Sequence, residues 1–135
     1  MLRFEVVNDA SRPPVQSGGR WVAEAYGCDP NRLEDEAAVR AAMTSALERL
    51  GAPPGTLNAV FHKFSPFGLS GTVMAANALL AIHTWPEDRA ATLDLYLYWP
   101  TPAAEPELRN LAAGLGATDM RAFEVRREPK SVEPV

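Results

Sequence analysis

A chain of 135 residues, 47% hydrophobic and 22% charged, has the makeup of one soluble globular domain and is long enough to bury a core without staples. Its net charge of −4 argues against non-specific nucleic-acid binding, which needs a basic face. A single cysteine, Cys28, excludes an internal disulfide and fits a reducing, cytoplasmic setting; no apolar run is long enough for a membrane span, and Met1-Leu2-Arg3-Phe4-Glu5 does not open like a secretory signal.

In chain order, residues 1–18 are expected to form a loose arm, broken by Ser11-Arg12-Pro13-Pro14, with Leu2–Val7 as a short edge strand. Arg20–Tyr26 reads as a strand. Asp29 then offers an N-cap, with Pro30 at the first helical position. Val39, Ala42, Met43, Ala46, Leu47 and Leu50 make one apolar stripe on a 3.6-residue period, which predicts a helix. Glu34, Asp35 and Glu36 sit in its early turns and Arg49 in its last, as the helix dipole favours. Gly51 ends it, and Pro53-Pro54 prevent its return.

Leu57–Phe64, Gly71–Ala76 and Leu79–Thr84 read as three more strands, with Asn77 near a tight turn. Thr92–Tyr98 alternates, placing Leu93, Leu95 and Leu97 on one face and Asp94, Tyr96 and Tyr98 on the other. Thr101-Pro102 opens a second helix with Leu108, Leu111, Ala112 and Leu115 as its stripe, ended by Gly116. Thr118–Arg127 is a last strand, and residues 129–135 are expected to be a flexible tail. The order β-α-β-β-β-α-β, with short turns between strands, predicts an α+β two-layer sandwich. Its sheet should be mostly antiparallel, with two helices on one face and the other face open to solvent or to a partner subunit. The domain is expected to span residues 19–128.

Two blocks carry the chemistry. The first is His62-Lys63-Phe64 with Pro66-Phe67-Gly68-Leu69-Ser70-Gly71, and the second is Ile82-His83-Thr84-Trp85-Pro86-Glu87. Between them, from Val73 to Ile82, there is no serine, threonine or cysteine. The blocks, with Val22–Asp29 ahead of them, resemble the small bacterial and archaeal type of S-adenosylmethionine decarboxylase. In that family a serine five residues before the motif histidine attacks the preceding carbonyl. The resulting ester eliminates, the chain is cleaved, and a pyruvoyl group is left that draws off electrons as S-adenosylmethionine loses CO2.

The same count from His83 reaches Ala78, which has no hydroxyl. Asn77 stands where the family has a glutamate, and Tyr98 where it has a cysteine used in processing and proton donation. Ser70 and His83 are the retained catalytic positions. The resemblance further ties Phe64, Trp85 and Glu87 to ligand, an aromatic face for adenine and a two-oxygen acceptor for ribose hydroxyls. Without the resemblance, Phe64 and Trp85 read equally as core, Glu87 as the start of a helical turn, Ser70 as a turn residue and His83 as a structural histidine.

The two histidines, His62 and His83, and one cysteine make no metal-binding spacing. Cys28 reads as an inert small hydrophobe. Glu34–Glu36 read as a solvated helix start, and Arg121, Arg126 and Arg127 as edge or interface charges. The expectation is a homologue that does not self-cleave and holds no pyruvoyl group. It would bind S-adenosylmethionine or a related nucleoside, or regulate polyamine (spermidine) synthesis, as a homodimer or as a heteromer with an active homologue. Two other functions fit the same residues: a non-pyruvoyl enzyme acting on a sulfonium nucleoside through His83, and an interaction module with a degenerate pocket.

Overall fold

The alternation read along the strands becomes a two-sided sheet in the computed structural model, which describes residues 19–99 and 101–125. The expected arm with its Leu2–Val7 strand, Arg126, Arg127 and the tail lie outside the described residues. The elements are β1 (Gly19–Tyr26), α1 (Glu36–Arg49), β2 (Asn58–Lys63), β3 (Leu69–Ala75), β4 (Ala78–Trp85), β5 (Ala90–Leu97), α2 (Ala104–Gly114) and β6 (Asp119–Val125), with short 3-10 turns at Arg32–Glu34 and Pro86–Asp88.

The strands form one sheet in the order β2-β3-β4-β5-β1-β6. Every neighbouring pair is antiparallel. A run of hairpins makes β2 to β5. The long connections through α1 and α2 place β1 and β6 on the far side of β5, and both helices cover the same face. Val73, Leu80, Ile82, Leu93 and Leu95 point to that face and are fully buried against Leu33, Met43, Leu47 and Leu108. Period-2 alternation requires the remaining side chains of each strand to face the other way. That open face carries Val60, Met74 and Phe123 exposed. The fold is the expected α+β sandwich.

The start of α1 differs from expectation. Asp29 does not cap it; its side chain accepts from Asn31 N at 2.9 Å and shapes the turn leading into the first 3-10 segment. The cap is Asp35, whose side chain accepts from Ala38 N at 3.1 Å. Two Asx-type acceptors six residues apart compete for one helix start, and Leu33, buried between them, holds the chain in the tighter turn. Ala42, on the expected apolar stripe, is exposed. Glu34 is not simply solvated: its Oε1 accepts from Gly68 N at 3.3 Å and ties the first 3-10 turn to the β2–β3 loop. Arg49 forks onto Glu107 with two 2.9 Å bonds, joining α1 to α2.

Candidate functional site

The register of the sheet assembles the motif residues on the open face. His62, Ser70, His83 and Thr92 are successive cross-strand partners on β2, β3, β4 and β5. Ser70 was expected in a turn; it lies inside β3, because Gly71 beside it is the sheet position under the Phe61 ring. A Cβ on Gly71 would come within 2.2 Å of that ring, so the Ser-Gly pair reflects packing on one face and chemistry on the other. The loop from Ser65 to Gly68 returns the chain, with a cis Ser65–Pro66 peptide. Gly68 has φ +103°, and a side chain there would press on Thr84 O at 3.0 Å.

Ser70 Oγ and His83 Nδ1 are 2.8 Å apart. The hydroxyl donates to the ring, or the ring N–H donates to the hydroxyl, according to the tautomer. His62 packs edge-on against Phe64, with centroids 4.5 Å apart at 73°, and His83 lies 6.3 Å from Trp85. Phe64 and Trp85 are 47% and 41% exposed, so neither is a core residue. Glu87 is exposed in the Pro86–Asp88 turn that follows β4, where Arg89 closes the turn at φ 51°. Five motif residues therefore gather at one end of the open face: Phe64, Ser70, His83, Trp85 and, just beyond the strand, Glu87.

Ala78, Asn77 and Tyr98 do not join them. Ala78 opens β4, buried and paired with Ala75 and Leu97, on the helix-covered side. Asn77 is in the β3–β4 turn; its main-chain O accepts from Tyr98 N at 3.1 Å, and its Oδ1 is buried without a partner. Tyr98 lies just past the end of β5 rather than within it, 66% exposed. Five residue steps along β4 separate Ala78 from His83, about 16 Å. The positions split into one pair at each end of β4: Ser70 with His83, and Ala78 with Tyr98.

Sequence reasoning missed Thr84. The motif threonine is buried between the two layers, donates to Leu33 O at 2.9 Å and accepts from Leu69 N at 2.8 Å. It fastens the end of β4 to the start of β3 and to the first 3-10 turn. The signal was its place between His83 and Trp85, which period-2 alternation assigns to the inner face. Cys28 is fully buried, and burial pushes its thiol pKa up. Among the described residues, no group of three or more His, Cys, Asp and Glu is placed to hold a metal ion. No helix among them is long and apolar enough to cross a membrane.

A six-stranded antiparallel sheet with both helices on one face, and a His-Thr-Trp-Pro-Glu strand end on the other, defines a distinct class of α+β sandwich. The sequence profile of S-adenosylmethionine decarboxylase matches residues 19–128, and the chain belongs to that family. It is 42% identical over 79 residues to an S-adenosylmethionine decarboxylase proenzyme of Parasynechococcus marenigrum, a match covering 58% of this chain and 60% of that protein. It is 41% identical over 114 residues to one of Syntrophomonas wolfei, covering 84% and 89%. The crystal structure of the adenosylmethionine decarboxylase from Aquifex aeolicus has a similar fold, with a TM-score of 0.74 at 22% identity over 89% of this chain and 98% of that one.

Proposed function

We propose that this chain is an S-adenosylmethionine decarboxylase homologue that does not cleave itself, and that it binds S-adenosylmethionine or a related nucleoside as a regulatory subunit of spermidine synthesis. Ala78 carries the proposal. The residues present do not fit a pyruvoyl group: Ala78 and its cross-strand partners Ala75 and Leu97 have no oxygen or sulfur in their side chains. The chain from Val73 to Ile82 holds no hydroxyl or thiol that could start an acyl shift. For the ligand, exposed Phe64 and Trp85 offer π faces, and Glu87 offers a two-oxygen acceptor.

The segregation of kept and changed positions supports a role beside a partner. Ser70 and His83 are intact and bonded, whereas Ala78 and Tyr98 lie about 16 Å off, at the other end of β4. One chain cannot bring the two pairs together. A second sheet packed on the open face, with its strands running the opposite way, would cover this chain's Ser70 and His83 and bring them near the partner's cysteine position, which is held here by the exposed Tyr98. Exposed Val60, Met74, Phe123 and Val125 suit burial under such a sheet. A homodimer carries no pyruvoyl-forming serine on either chain. In a heteromer with an active homologue, this chain supplies the Ser70–His83 half of a working site.

Intact-mass measurement tests the first claim: one species near 14.6 kDa is expected, and two fragments breaking at Asn77–Ala78 would overturn it. Calorimetry with S-adenosylmethionine tests the second, with binding expected to weaken in Glu87→Gln; no heat at about 1 mM ligand sinks it. Co-expression with an active homologue tests the third. A complex whose decarboxylation falls when this chain carries His83→Ala supports the shared site, and two proteins that elute apart refute it. The Ser70–His83 bond also favours a second reading, acid–base chemistry on a bound sulfonium nucleoside without a pyruvoyl group. Turnover of S-adenosylmethionine by the uncleaved chain alone would select it.

A further inference from the structure

We propose that the cavity between α1, α2 and the sheet binds a free α-amino acid with an aliphatic or thioether side chain. This cavity is separate from the Ser70–His83 site, because it opens on the helix side of the sheet while Ser70 and His83 face the other. The cavity holds about 270 Å³. Its floor is Val39, Met43, Ile82, Leu93 and Leu111, all apolar. Space remains there because Ala38 and Ala42 on α1 and Gly114 on α2 are too small to close the gap between the helices.

The rim selects the ligand. Arg32 and Asp35 both line the cavity. Arg32 Nη1 makes only a long 3.4 Å bond to Gly114 O, and its Nε is 3.8 Å from Asp29 Oδ2. Asp35 caps α1 through Oδ1. Arg32 Nη2 and Asp35 Oδ2 are left without a bonded partner among the described residues. A guanidinium and a carboxylate at one mouth match the carboxylate and ammonium of a zwitterion. A fatty acid would leave Asp35 unanswered, and an amine would leave Arg32 unanswered. The volume equals about nine waters at liquid density, close to the non-hydrogen atom count of leucine or methionine. It lies at the lower edge of the range of roughly 300–1,000 Å³ typical of small-molecule pockets, which favours a small ligand.

Methyl NMR of the full chain, titrated with L-methionine and L-leucine, tests this. Saturable shifts are expected at the Met43, Ile82 and Leu111 methyls, with a Kd of about 1 mM. Affinity should fall about tenfold or more in Ala42→Leu, which fills the cavity, and in Arg32→Gln, an exposed change that keeps the fold if the first does not. Isocaproate and isoamylamine, which each lack one charge, should bind far more weakly. The proposal is overturned by any of three outcomes: no saturable shift at about 10 mM amino acid, either single-charge analogue binding as well as leucine, or binding unchanged in Arg32→Gln. Each would leave S-adenosylmethionine binding at the open face untouched, which calorimetry reads separately.

Discussion

Ser70 on β3 stands directly opposite His83 on β4, and its hydroxyl oxygen lies 2.8 Å from the ring Nδ1. The bond is solvent-accessible, so water replaces it when it is removed. Ser70→Ala is expected to lower stability by no more than about 1 kcal/mol in urea unfolding, while shifting the Nδ1–Nε2 tautomer balance of His83 in nitrogen-detected NMR. A loss several-fold larger would mean that the pair holds the fold and is not a preserved chemical unit.

Thr84, the next residue after His83, makes the contrasting case on the inner face. Its hydroxyl is buried and serves Leu33 O and Leu69 N together. Thr84→Val keeps the shape but strands both backbone groups away from water. A loss of about 1–3 kcal/mol is expected, seen as a lower urea midpoint at unchanged slope.

Gly71→Ala places a methyl 2.2 Å from the Phe61 ring, so β2 must give way. Overpacking of this kind costs about 1–3 kcal/mol. Pairing it with Phe61→Leu should recover part of the loss, because the two positions share one contact; additive losses would show that the clash is not the cause.

Cys28 has its thiol pKa raised by burial. The native state therefore holds the thiol proton more tightly than the unfolded chain. The associated stability is fully present below the unfolded thiol pKa and is lost as pH rises through the folded one. Native protein is expected to resist a disulfide reagent at about pH 8, where a free cysteine is partly thiolate, and to react in full once unfolded in urea. Rapid reaction of folded protein would refute the burial.

How much of this was legible in the sequence depends on the range of the interaction. Alternation in Thr92–Tyr98 placed Leu93, Leu95 and Leu97 on the inner face, and the stripe of α2 named Leu108, Leu111 and Ala112 as core; all six are buried. Those signals work because strand and helix periods are local properties of the backbone. The start of α1 was misplaced, since Asp29 and Asp35 are equivalent caps until burial of Leu33 chooses between them.

By itself the sequence determined the element order, the inner and outer faces, the family blocks and the absence of a hydroxyl at Ala78. Only the tertiary structure decided what those blocks do to one another. Register, fixed by hydrogen bonding between strands distant in sequence, put Ser70 against His83 and turned Thr84 inward. The same register carried Ala78 and Tyr98 to the opposite end of β4. A count along the chain gives the spacing of residues, whereas their separation in space follows from which strands pair and from a rise of about 3.3 Å per residue along them.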